Sequence, residues 1–113
     1  MTFRHGRHAP AFILLALAPR PSYGLEILAF LERSFPGSGF DTASVYKTLR
    51  SLERQGAVEA RWEAPEGPRR RWYRLTATGQ ALLDEFEADV RQRMRNFALF
   101  LELRARHPAA KRR

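Results

Sequence analysis

Two groups of basic side chains in this sequence are spaced so that each could meet a polyanion. Lys47, Arg50 and Arg54 recur at intervals of three and four residues, and Arg69, Arg70 and Arg71 stand in a row inside "PEGPRRRWYRLTATG". At about 100° per residue, Lys47, Arg50 and Arg54 gather with Ala43 on one face of a helix. Lysine and arginine near phosphates release condensed counterions, which gives sequence-independent affinity with a steep salt dependence. Arginine also grips guanine O6 and N7 with two hydrogen bonds. Thr42 and Ser44 precede this face; they are short enough for close approach, and their hydroxyls can bond phosphate or base. Tyr46 lies on the flank. The 113-residue chain carries 20 Lys+Arg against 12 Asp+Glu, a net charge of +8, and its pI is about 11.2. Such a balance points to an acidic partner, nucleic acid or an anionic membrane. It is also an ordinary way to keep a small protein soluble, so placement must decide.

Other chemistries are not provided for. The chain has no cysteine, which excludes a disulfide scaffold, a thiol nucleophile and a cysteine zinc site. His5 and His8 are three residues apart, but no carboxylate stands near them, and they read as part of a basic arm. There is no Ser/His/Asp spacing, phosphate-binding glycine loop or metal-ligand cluster, so neither an enzyme nor a cofactor is expected. Glu85, Glu87 and Asp89 read as a solvated helix flank. The longest apolar run, "APAFILLALAP", is about ten residues, whereas a membrane span needs roughly 20. No signal-peptide layout is present, and a cytoplasmic protein without a membrane partner is expected.

The elements that must position the basic groups follow from periodicity and turn chemistry. Pro10 opens a short buried helix containing Phe12, Ile13, Leu14, Leu15 and Leu17, and "APRPSYG" breaks it. A second helix is predicted over 22–35 with Ser22 as N-cap and Leu25, Leu28 and Leu31 as its stripe, joined by Ile27 and Phe35. "PGSG" ends it. The third helix runs from the cap Asp41 to a C′ glycine, Gly56, and buries Val45, Leu49 and Leu52. Val58, Ala60 and Trp62 then alternate with Glu59, Arg61 and Glu63, and Arg71, Tyr73 and Leu75 with Arg70, Trp72 and Arg74. These are two strands of a hairpin with a loop of about six residues. Arg71 begins the inward face, its stem packed and its head at the rim. Thr76 caps a last helix over 77–106 whose apolar stripe is Leu83, Phe86, Val90, Met94, Phe97 and Leu101. A lone chain would expose much of that stripe, which argues for a partner helix from a second copy.

Helix, helix, helix, strand, strand, long helix is the layout of a mainly α (α+β) winged helix-turn-helix. It has a two-stranded β wing and a long C-terminal dimerisation helix. Its parts are a flexible basic arm (1–8), the winged helix (9–76), the dimerisation helix (77–106) and a basic tail (107–113). In such a fold the third helix enters the major groove of double-stranded DNA, and a dimer spaces two of them about one turn apart. The fold also serves as a protein-interaction or RNA-binding module. RNA readers stack bases on exposed aromatics, so the direction in which Trp72 points discriminates.

"ILLALAP", "SYGLEI", "ASVYKTLRSLERQGAVEARWE" and "GPRRRWYRLTATGQALL" together resemble the PadR family of bacterial transcriptional regulators over about residues 9–85. The resemblance implies a dimeric winged-helix repressor acting on operators near genes for detoxification or efflux. It puts Ser44, Tyr46 and Lys47 in the recognition helix and Arg69, Arg70 and Arg71 in the wing. Members often carry Ser-Pro-Gly where this chain has Asp41-Thr42-Ala43. The single C-terminal helix is similar to that of the short subfamily, some members of which hold flat aromatic drugs between tryptophans at the dimer centre. Here both tryptophans, Trp62 and Trp72, lie in the strands, and Val90 or Met94 takes the comparable place. A small-molecule effector is thus admitted without being named.

Overall fold

The computed structural model describes residues 8–63 and 70–108. Three expected features fall wholly or partly outside them: the basic arm before His8, Arg69 with the rest of the hairpin loop, and the tail beyond Pro108. Two compact units make up the chain, Met1–Leu83 and Asp84–Arg113.

In the first unit, α1 (Ala9–Leu17), α2 (Gly24–Ser34) and α3 (Thr42–Arg54) pack pairwise around one core. Pro10 lies in the first turn of α1, where its missing N–H costs nothing and its fixed φ suits the helix. Ile13, Leu14 and Leu17 from α1, Ile27 and Leu31 from α2, and Val45, Leu49 and Leu52 from α3 are fully buried. Each contributes about 1.5–3 kcal/mol relative to an exposed position. Phe12 packs edge-on against Phe35 at 4.8 Å and Phe40 at 5.9 Å, so the "PGSG" turn is pinned to α1 from both of its ends.

Two expectations for α2 are corrected. Ser22 is not a helix cap; with Tyr23 it forms a short strand, β1 (Ser22–Tyr23). The helix begins at Gly24, and its third residue, Glu26, accepts a hydrogen bond from the Tyr23 N–H at 3.2 Å, the carboxylate half of a capping box. Leu25 is also not part of the buried stripe but 59% exposed. Three helical residues turn through about 300°, so a run stepping by threes drifts about 60° per step and leaves Leu25 about 120° from Leu31.

Two longer strands, β2 (Val58–Trp62) and β3 (Arg71–Leu75), pair antiparallel with Val58 opposite Leu75 and Trp62 opposite Arg71. β1 adds to the other edge of β3, Ser22 opposite Tyr73 and Tyr23 opposite Trp72. The expected two-stranded wing is therefore part of a three-stranded sheet of order β1-β3-β2. Val58 and Tyr73 are buried on the helix side.

The joint between α3, the sheet and the last helix, α4 (Ala77–Arg106), is made of backbone contacts. Gly56, at φ +76°, ends α3 in a Schellman motif: the Gly56 N–H bonds the Glu53 carbonyl at 3.0 Å and the Ala57 N–H the Leu52 carbonyl at 2.9 Å. The Ala57 carbonyl accepts the Thr76 N–H at 3.1 Å. Thr76 caps α4 by accepting the Gly79 N–H at 3.0 Å, and its hydroxyl donates to the Gly56 carbonyl at 2.6 Å. A Cβ on Gly79 would overlap the Ala57 carbonyl oxygen. Alanine gains about 1 kcal/mol over glycine inside a helix. The overlap outweighs this gain, because that carbonyl cannot yield without loosening its bond to Thr76. Gly79→Ala is expected to destabilise the protein by about 1–3 kcal/mol, read as a lower urea midpoint; an unchanged or raised midpoint would refute the close-packed joint.

Candidate nucleic-acid interface

α3 positions its own functional face. The Asp41 Oδ1 accepts the Ser44 N–H at 2.7 Å, and the Ser44 Oγ accepts the Asp41 N–H at 3.0 Å. The caps of both helix-terminal donors are thus reciprocal. With Val45, Leu49 and Leu52 buried, Thr42, Lys47, Arg50 and Arg54 are turned to the surface. Lys47, Arg50 and Arg54 have no carboxylate partner among the described residues. Their charge is therefore not offset by a bound carboxylate there. Ser44 is half-buried and occupied by its capping bonds. Tyr46 is also half-buried; its ring lies on Gly24, where a Cβ would overlap the ring. That contact gives the glycine of "SYGLEI" a physical reason.

The wing arginines separate into three kinds. Arg69 lies outside the described residues. Arg70 is exposed, with its guanidinium 4.8 Å from the Tyr23 ring centroid, a cation–π contact that leaves its charge outward. Arg71 is half-buried. Its Nη2 bonds Glu53 Oε2 of α3 at 2.8 Å, and its guanidinium lies 5.8 Å from the centroids of both Trp62 and Tyr73. Its Nε is buried without a hydrogen-bond partner. Burial raises the Tyr73 hydroxyl above the ordinary tyrosine value, with the Arg71 charge opposing.

On the opposite sheet face Arg74 bonds Glu59 at 2.7 Å, and Arg61 approaches the same carboxylate at 3.4 Å. Arg74 holds the Glu59 carboxyl below its usual range. Trp72 belongs to this face, half-buried and edge-on to Tyr23 at 5.0 Å. The exposed tryptophan is Trp62, at 61%.

Between α2, α3 and the sheet runs an open groove of about 760 Å³, whose lining includes Leu25, Tyr46, Arg50, Trp62, Arg70 and Arg71. It brings Arg50 of the helix and Arg70 of the wing to one concave surface. Tyr23 and Trp62 in its lining, and Glu53 bonded to Arg71 beside it, are not among the site residues expected from the sequence. Glu53 carries a legible signal: it is seven residues after Tyr46, two helical turns on, and so shares its flank. Among the described residues no group of His, Asp and Glu could hold a metal ion, and no helix is long and apolar enough to cross a membrane.

In α4, Leu83 and Phe86 are half-buried, while Val90, Met94, Phe97 and Leu101 are 47–67% exposed. Leu99, Phe100 and Leu103 are exposed as well. Some charged residues of this helix pair with one another four apart: Glu87 with Arg91, Asp89 with Arg93 and Glu102 with Arg106.

Three packed helices, a capped third helix with an outward basic face, and a sheet carrying a basic hairpin define a winged-helix DNA-binding fold. The model of the transcriptional regulator PadR-like family matches residues 13–85, and the chain belongs to that family. It is similar to the crystal structure of a conserved protein of unknown function described as a potential transcriptional factor. That match has TM-score 0.79 and 28% identity, and covers 90% of this chain and 91% of that one. It is similar too to a PadR family transcriptional regulator from Eggerthella lenta, with TM-score 0.70, 26% identity and coverage of 81% and 82%. An uncharacterised protein of Lysinibacillus sphaericus is 27% identical over 84% of this chain and 89% of its own length.

Because Lys47 and Arg50 are exposed and touch no carboxylate among the described residues, they are not holding the fold. Lys47→Ala and Arg50→Ala are expected to leave unfolding free energy within about 0.5 kcal/mol of wild type. A urea titration checks this, and a larger loss would show that the basic face is structural.

Proposed function

We propose that the protein is a homodimeric, sequence-specific DNA-binding regulator of the repressor type. The observation that carries this reading is the set of unpaired cations, Lys47, Arg50 and Arg54, facing away from the core on a helix beside the outward Arg70. Positive side chains held apart from carboxylates keep their full capacity to displace counterions from phosphate. Exposed Thr42 and the first turn of α3 reach base edges when the helix lies in the major groove, and Arg50 is placed for a guanine. Arg70 meets phosphate from the wing. Trp72, half-buried beside Tyr23, offers less ring to a single-stranded base than a fully exposed indole would, and the duplex reading rests on the basic face of α3 beside Arg70. The exposed apolar residues of α4 support a second copy as the partner of this helix. Two recognition helices then address a roughly palindromic site.

The test is a fluorescence titration of random-sequence duplex. Affinity is expected to fall by about 10³–10⁵ between roughly 50 and 200 mM salt. Arg70→Ala should weaken binding to all sequences about equally and reduce the salt slope by about 1. Absence of binding at low salt would refute the DNA reading. Sedimentation equilibrium is expected to return about twice the chain mass of 13.1 kDa at micromolar concentration, and a monomer would refute the homodimer.

A further inference from the structure

We infer that Glu53 is a positioning residue for DNA binding: through Arg71 it holds the wing against α3, so that Arg50 and Arg70 face one duplex together. The inference rests on the DNA-binding reading above.

Buried anchoring of the hairpin stops early. Val58 and Tyr73 are buried, Ala60 is half-buried, and Trp62 and Glu63 are exposed. Towards the loop the ladder continues with the Glu63 N–H bonded to the Arg70 carbonyl at 2.8 Å. A two-stranded ribbon beyond its core contacts has no intrinsic stiffness against the helix beside it. At this rung Arg71 reaches back across to α3. Its guanidinium is fixed on one side by the Glu53 carboxylate at 2.8 Å and lies over the Trp62 and Tyr73 rings. A planar fork suits both demands, and a lysine ammonium suits neither as well.

A carboxylate next to phosphate-seeking cations repels DNA, so removing it should strengthen binding if nothing else depended on it. Glu53 sits between Arg50 and Arg54 on the sequence and on the flank facing the sheet. It also neutralises Arg71, which removes that arginine from the set able to release counterions. The pair is therefore costly to affinity as charge and useful only as geometry.

The experiment compares two duplexes of equal length, one selected from a random pool by the wild-type protein and one of random sequence. Glu53→Gln is expected to lower affinity for the selected duplex about 3- to 10-fold while affinity for the random duplex holds or rises, because the freed Arg71 adds a cation. Arg71→Gln should lower affinity for the selected duplex to the same extent without altering the salt slope. The double variant should be no weaker than either single, because both remove one unit. Arg71→Lys, which retains the charge, should fail to restore the selected-site affinity. Circular dichroism melts of each variant establish that the folded protein is being titrated, and Glu53→Asp supplies a second, carboxylate-retaining probe with an intermediate loss. The inference is overturned if Glu53→Gln binds the selected duplex as tightly as wild type or more tightly, or if Arg71→Lys restores full affinity. A wild-type protein that binds neither duplex refutes the DNA reading itself, and the positioning role with it.

Discussion

Burial of Val45, Leu49 and Leu52 against α1 and α2 is the constraint from which the rest of the surface follows. Once these three side chains are sealed, the rotation of α3 about its axis is set, and every other residue of the helix is assigned a direction by the 100° step. Ala43, Lys47, Arg50 and Arg54 must face out. Tyr46 and Glu53 must lie at the border, and each finds a neighbouring element there: Tyr46 the bare backbone of Gly24, Glu53 the guanidinium of Arg71. The helix thus has three sides with three uses. A slip of one residue, burying positions 46, 50 and 53 instead, would carry Arg50 and Glu53 into the core.

Net charge is a poor guide to which cations are available. The hairpin strands carry Arg61, Arg71 and Arg74, yet Arg71 pairs with Glu53, and Arg61 and Arg74 share Glu59. In α4, Arg91, Arg93 and Arg106 pair along their own helix. Such pairs four apart, with the acid N-terminal to the base, contribute only about 0.2–0.5 kcal/mol each to helix stability, but they lower the local positive field. Among the described residues of the winged helix, Lys47, Arg50 and Arg54 on α3 and Arg70 beside them have no carboxylate partner. Ion pairing thus leaves the outward face of α3 and Arg70 with their charge uncancelled among the described residues.

Legibility in the sequence followed the physics of each element. The limits of α3 and α4 were readable because each has a local chemical stop: Asp41 and Gly56 for one, Thr76 for the other. The register of β2 with β3 was implicit in their alternation. β1 was not readable, since two residues carry no period and Ser22 looks like a cap in isolation. Its assignment as a strand depends on β3 arriving from 50 residues later in the chain to offer Tyr73 and Trp72. The exposure of Trp62 was unreadable for a related reason. Alternation fixes which face a side chain shares, and Trp62 does share the face of Val58, but it cannot say where along the strand the covering helices end. At the interface, the outward cations were legible from helical rotation alone. The Glu53–Arg71 contact was not, because its two halves lie on elements whose relative placement only the tertiary fold supplies.

The C-terminal unit poses a packing question that helical geometry sharpens. At 100° per residue, Val90, Met94, Phe97 and Leu101 fall within an arc of about 60°, and Leu99, Phe100 and Leu103 fall within a second arc of about 100°, centred about 140° away. All seven are exposed. A two-helix seam covers one apolar stripe, and the second arc, confined to the last turns, would stay in water. Pairing along a single seam therefore does not account for this helix. The proposed homodimer has to bring two surfaces of the second copy to α4, one for each arc. Two of the ion pairs of α4 fit that demand: Glu87, Arg91, Glu102 and Arg106 fall together between the arcs, where neither covering surface would bury their charges.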